Sequence, residues 1–334
     1  MEEEKKLYPF KFCALRDEYS WGAETFGLAD LGYRDSLIRE GWLAGNSMSE
    51  IMDTYLDRVV GDAVYDIYGR QFPVCVRILN VKGRMPLRVH PDDVTAEERF
   101  DALGKEKLWY VLRAGKDARL MLGFRHATDA SVLCDACTDG SVAELLNTIV
   151  PHAGQFYRIA PGTVHAAEGD VDILEIGEAS AMDFCLCAWG KPLGNDEFDE
   201  TLTLVDALDF IDYGPYRCDG SASGIRLVSL PQFEVNRIDL GAALEISSER
   251  LDSFVLYTCV SGSASVQIDV LGQTAMFPFA EGQSILVPAE CSTFRLVPSA
   301  PRTCVLETTV PPVQKADPYI NPDAEESLGD DEEE

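Results

Sequence analysis

Histidine is scarce in this chain. Only four occur in 334 residues, at positions 90, 126, 152 and 165. Any metal or acid–base site must therefore be assembled mostly from other side chains. Long apolar runs are missing as well. There is no stretch of about 18 consecutive apolar residues, the length a membrane-spanning helix needs. The start, MEEEKKLYPF, is charged where a secretory leader carries an apolar core, so a cytoplasmic protein is expected. Basic residues are also few, with 28 Lys and Arg against 57 Asp and Glu, a net charge of −29. Nine of the acids lie in 317–334, and the remaining 48 still outnumber the bases, so the globular part is itself acidic. Such a surface repels a phosphate backbone. No nucleic acid and no membrane is expected as a partner. The segment 313–334 ends in a run of carboxylates and is expected to be a disordered, solubilising tail.

What is present fits an ordinary globular protein, with 46% hydrophobic residues and enough length for more than one core. Ten cysteines occur. Without a leader they are expected to be reduced thiols. Cys134 and Cys137 form the only C-x-x-C, with no second pair near it in sequence. Cys185 and Cys187 alternate along a probable strand and so point to one face.

Residues 46–68 have helical spacing, with Ile51, Tyr55, Val59 and Val60 recurring and Ser49 as a candidate cap. Phe72–Leu79 and Leu108–Leu112 are short apolar runs that read as strands. Asp92–Asp101 reads as a helix capped by Asp92 and Asp93. Ala130–Val150 reads as helical, with a break near Thr138–Gly140. From Gln155 to Trp189 short β-rich runs alternate with turns, and the same pattern returns over 225–310. Gly282–Ala289 (GQSILVPA) parallels Gly154–Pro161 (GQFYRIAP). The repetition predicts two related β-barrels in tandem. Their bounds are 1–205 for a first barrel with helical insertions, 206–224 for a linker and 225–312 for a second, structural barrel.

Three stretches carry the candidate chemistry: Leu87–Asp93 (LRVHPDD), Gly104–Leu112 (GKEKLWYVL) and Pro161–Ala166 (PGTVHA). The first and third hold His90 and His165. Trp109 and Tyr110 read as barrel core, and His126 and His152 as surface residues.

In these residues the chain resembles the type I mannose-6-phosphate isomerases (phosphomannose isomerases), especially the short bacterial form. The likeness runs from LYPFKF through Trp21–Gly22, LAGNSMSEIM, FPVCVRIL, VHPDD, GK-x-x-x-WYVL, Gly123–Phe124, PGTVHA and LEI to ALDFIDY at 207–213, and on into the second barrel. The resemblance implies a mainly β fold: tandem cupin (jelly-roll) barrels with a small helical portion. It implies aldose–ketose isomerisation of mannose 6-phosphate to fructose 6-phosphate. It also implies a zinc ion held by a Gln, a Glu and two histidines. Both histidines are kept, as His90 and His165. The Gln position is Arg88 and the Glu position is Lys107. Glu106 is one residue away, and in a strand a one-residue slip turns the side chain to the other face.

Other family residues are replaced too. The expected Ser-Trp-Glu region reads LGYRDSLIREG, the expected Lys is Arg77, and an expected Arg falls on Cys185. A charged pair becomes Ala188 and Lys191. Glu175 is retained.

An ammonium and a guanidinium have no lone pair to give and repel a dication. Zinc binding is therefore expected to be weak or absent. The alternative is that Arg88 and Lys107 replace the metal's charge, holding Glu175 or an anionic ligand such as a sugar phosphate. An enediol route needs a base and an electrophile. Glu175 or His165 is the candidate base, and Arg77, Arg88 or Lys107 the candidate electrophile. Two functions stay open. One is an isomerase with weakened or abolished zinc-dependent activity. The other is a non-catalytic homologue that binds a sugar phosphate or acts in a complex. A monomer or homodimer is expected.

Overall fold

The strand Val74–Val81 (VCVRILNV) has apolar residues on both faces, which is the pattern of a strand covered on both sides. The structure, a computed structural model, describes residues 5–189, 203–217, 225–248, 251–270 and 273–312. In it, that strand lies inside a six-stranded sheet, between Gly22–Leu28 and Val171–Glu178. One face, with Leu79, Val81, Trp109, Val111 and Ile173, looks into a barrel. The other, with Val76, Leu108, Tyr110, Leu174 and Ile176, packs against helices and a second barrel.

The first barrel closes this sheet (Leu15–Tyr19, Gly22–Leu28, Val74–Val81, Val171–Glu178, Lys107–Ala114, Phe156–Ile159) over a five-stranded one. The latter contains Phe184–Cys187, Leu87–Val89, His165–Glu168, Arg119–Phe124 and Leu146–Ile149. The second barrel pairs a six-stranded sheet with a four-stranded one, and its strands all come from 226–309 except Phe10–Lys11. Phe10 pairs with Leu286 and Lys11 with Ile285. The fold is thus mainly β with tandem cupin-type barrels, as the resemblance implies. Among the described residues no helix is long and apolar enough to cross a membrane.

Local structure departs from the sequence reading in four places. The helical stretch 46–68 is three short helices, Met48–Tyr55, Asp57–Val60 and Asp62–Tyr68. Leu56 at φ 49° and Gly61 at φ 93° break them apart. The first helix is capped by Ser47, not Ser49: Ser47 accepts the N–H of Glu50, whose carboxylate accepts the N–H of Ser47, a capping box. Ser49 instead donates to Asp35 at 2.5 Å.

The stretch Ala130–Val150 breaks where expected, its α-helix ending at Asp139, but beyond the break only the short 3-10 turn Val142–Glu144 is helical. Gly140 ends that helix at φ 85°, and Leu146–Ile149 is an edge strand paired with Arg119–Phe124. Finally, the described part of the expected linker is docked rather than loose. Phe210 packs edge-on against Phe184 and Tyr213 stacks on Phe124. Residues 218–224, the acidic tail 313–334 and Lys191 lie outside the described residues.

Gly61 also ties the helices to the second barrel, where Asp252 accepts the N–H groups of Asp62 and Ala63. A Cβ on Gly61 would sit 2.2 Å from the Asp252 carbonyl oxygen. Gly61→Ala is therefore expected to lower unfolding stability by about 2 kcal/mol or more. Gly241→Ala, where nothing lies within 4 Å, is expected to change it by less than about 0.5 kcal/mol. Urea unfolding of both variants checks the contrast.

Candidate functional site

A strand alternates sides every residue, so a charged residue among inward-facing apolar ones ends up inside the barrel. Glu24, Arg77, Lys107, Trp109 and Glu175 are brought there by four adjacent strands of the large sheet. Register sets them side by side: Glu175 lies opposite both Arg77 and Trp109. The facing sheet contributes Arg88 and His165, which pair in register. His90 follows directly after Leu87–Val89, and Asp183 directly precedes Phe184–Cys187.

Lys107 is the hub. Its Nζ donates to Asp183 Oδ1 at 2.5 Å, lies 3.3 Å from His165 Nε2 and sits 3.9 Å from Glu175. The other oxygen of Asp183 is held by Lys105 at 2.7 Å and Arg77 at 3.3 Å. Arg77 also donates to Glu175 at 2.7 Å and to Glu24 at 2.9 Å, and Arg88 reaches Glu24 at 3.2 Å. Trp109 Nε1 donates to the second oxygen of Glu175 at 2.7 Å. The Lys107 side chain is 0% exposed, and that of Asp183, at 13%, is the most exposed of this charged set.

The histidines are fixed by backbone carbonyls. His165 Nδ1 lies 2.9 Å from the Thr163 oxygen and His90 Nε2 lies 3.2 Å from that of Ile159. A carbonyl only accepts, so these nitrogens carry the protons and the opposite nitrogens carry the lone pairs. The lone pair of His165 meets the Lys107 ammonium. That of His90, on Nδ1, is buried with no hydrogen-bond partner among the described residues.

Burial and the neighbouring Lys107 charge push both imidazoles down, His165 to about 3 and His90 well below its ordinary value. Burial likewise lowers Lys107 to about 8, against the pull of Asp183 and Glu175. Burial pushes the carboxyls of Glu175 and Asp183 up. The surrounding cations outweigh it, chiefly Arg77 for Glu175 and Lys105 for Asp183, and hold both below the usual carboxylate range.

All six residues singled out from sequence, Arg77, Arg88, His90, Lys107, His165 and Glu175, converge here. Glu106 points away and pairs with Arg158 at 2.5 Å. Sequence reasoning missed Glu24, Lys105 and Asp183. Glu24 was detectable as the one carboxylate of GAETFGL, two residues from the buried Phe26 and so on its face. Asp183 left no comparable signal. Trp109, read as core, also serves the site through its indole N–H.

The C-x-x-C lies near Cys185 and Cys187 in space, and the Cys187 thiol together with burial pushes the Cys137 thiol up. The described cysteines form no disulfide. A cleft of about 480 Å³ between the barrels is lined by Tyr110, Arg237, Arg302 and Cys304 among others, and includes none of the charged cluster.

No protein-family model matches the chain. Mannose-6-phosphate isomerase of Streptococcus mutans serotype c is 33% identical over 260 residues, which cover 76% of this chain and 78% of that protein. The chain belongs to the mannose-6-phosphate isomerase family. Mannose-6-phosphate isomerase ManA of Bacillus subtilis is 24% identical over 315 residues, covering 86% of this chain and 95% of that one. A crystal structure of the mannose 6-phosphate isomerase of B. subtilis superposes with a TM-score of 0.73 at 21% identity, covering 90% and 99% of the two chains. A zinc-bound mannose 6-phosphate isomerase superposes with a TM-score of 0.69 at 15% identity, covering 90% and 98%.

The donors do not fit the zinc that this family implies. Of the four ligand positions that the resemblance implies, two are the cations Arg88 and Lys107. The Lys107 ammonium also occupies the lone pairs of two of the three donors that remain close together, His165 and Asp183.

Asp183→Asn should leave two buried ammoniums without their carboxylate. A loss of about 3–5 kcal/mol is expected, read from the urea midpoint. The pH dependence follows from His165. Its folded value lies below the unfolded 6.5, so the stabilisation of the neutral form is present above pH 6.5 and is lost as pH falls toward 3. Unfolding stability should drop over that window by up to about 1.4 kcal/mol per pH unit for this group, and His165→Gln should flatten the slope.

Proposed function

We propose that this chain is a mannose-6-phosphate isomerase-family protein whose zinc-dependent isomerisation is weakened or abolished. One observation carries the reading: the Lys107 ammonium, bonded to Asp183 and in contact with His165, fills the place where the family needs a carboxylate and a metal. The candidate bases are unsuited to proton transfer near neutrality. Glu175 has both oxygens engaged, by Arg77 and Trp109, and its carboxyl is held low. His165 stays neutral but weakly basic. A general base works best with a pKa near the working pH.

The second reading, a non-catalytic binder of a sugar phosphate, has its own support. Among the described residues, Arg77, Arg88, Lys105 and Lys107 make their ion pairs with three carboxylates, Glu24, Asp183 and Glu175. The excess positive charge favours an anion. On either reading the first barrel (1–205) carries the site and the second (225–312) is structural. The setting is the cytoplasm, as a monomer or homodimer.

Metal content and mannose 6-phosphate turnover, measured on one unchelated preparation, test the proposal. Substoichiometric zinc with no turnover, or turnover far below that of a zinc-loaded family member, is expected. Near-stoichiometric zinc with full turnover overturns it.

A further inference from the structure

Lys107 can be regarded as a ligand of this site as well as a residue of the barrel. One donor atom each from His90, His165 and Asp183 lies within 4.8 Å of the other two. Three protein donors of this kind, two imidazoles and a carboxylate, suffice for a divalent metal whose remaining positions are water. The two imidazoles are held as metal-ligating histidines commonly are. Each imidazole gives its N–H to a backbone carbonyl, Thr163 for His165 and Ile159 for His90, which fixes the ring and turns its lone pair elsewhere. Asp183 is held through Oδ2 by Lys105 and Arg77, and among the described residues its Oδ1 is bonded to Lys107. Among the described residues the buried Nδ1 of His90 has no hydrogen-bond partner. A purely structural histidine would be satisfied on both nitrogens or have one exposed.

We propose that Lys107 is the tethered occupant of a three-donor cation site made by His90, His165 and Asp183, and that removing its ammonium is enough to turn this set into a divalent-metal site. The donor set differs from the one the family uses, because Asp183 supplies the carboxylate and neither Arg88 nor position 107 needs to be restored. The inference rests on the reading of Lys107 given under the proposed function. It adds that the rest of the site remains wired for a metal.

The test uses the full chain and Co²⁺, whose visible absorption reports low-coordinate nitrogen and oxygen ligation, with Zn²⁺ competition as a second readout. Lys107→Ala and the near-isosteric Lys107→Met are compared with wild type after circular dichroism has verified the fold. Should the alanine variant fail to fold, the methionine variant, which opens no cavity, carries the test. Asp183 keeps Lys105 and Arg77 as partners in both.

One Co²⁺ per chain is expected, with affinity at least about 100-fold above wild type, since each removed unit charge relieves several kcal/mol of repulsion. Adding His90→Ala or Asp183→Asn should abolish the new absorption. Three results would count against the idea. Folded variants that stay metal-free alongside a metal-free wild type overturn the latent site but leave the proposed function standing. Binding that survives both added substitutions assigns the metal to other donors and overturns it too. Stoichiometric metal in wild type overturns both this inference and the proposed function.

Discussion

A single ion pair inside the first barrel, Lys107 with Asp183, organises the charges around it. An ammonium stripped of water is costly unless a carboxylate and further hydrogen bonds surround it. Asp183 supplies the carboxylate and His165 a lone pair. Asp183 in turn needs more than one cation to stay ionised while buried, and Lys105 and Arg77 provide them. Arg77 then engages Glu175 and Glu24, and Glu24 engages Arg88. The chain of dependence runs across both sheets of the barrel. Such a network holds a polar interior together only when every member is satisfied.

The same network is the physical ground for the proposed loss of zinc-dependent isomerisation. A base that transfers a proton must be able to release its hydrogen bonds, and an electrophile must have a donor to offer the developing oxyanion. Here Glu175 has both oxygens engaged and the cations are turned toward fixed carboxylates. The groups of an isomerase-like centre are present, but their capacity is spent on one another. A substrate would have to compete with contacts of 2.5–2.9 Å made inside the protein.

Much of this was legible in the linear sequence, and what was not has a physical reason. The β character showed in short runs separated by turns, and the repeated G-Q-strand-Pro unit exposed the tandem arrangement. The motif blocks located Arg77, Arg88, His90, Lys107, His165 and Glu175. Lys105 and Asp183 were invisible because their role depends on which strands lie side by side, and pairing across a barrel is not written in local pattern. The misread stretch 130–150 shows the same limit: Leu146–Ile149 becomes a strand because it finds an edge beside Arg119–Phe124, while its composition alone leaves helix and strand undecided. Ser47 was overlooked for Ser49 although Glu50, three residues after it, completes the capping-box signature.

The pairing of Phe10–Lys11 with Ile285 and Leu286 bears on how the chain is made. The strand is made about 275 residues before its partner, so Phe10 has no sheet to join until Ser284–Val287 exists. Closing a loop of that length for a two-residue ladder carries an entropic cost that the surrounding apolar cluster of Phe10, Leu256, Tyr257 and Leu286 has to offset. This edge of the second barrel is complete only when a segment from far upstream has come back to cover it.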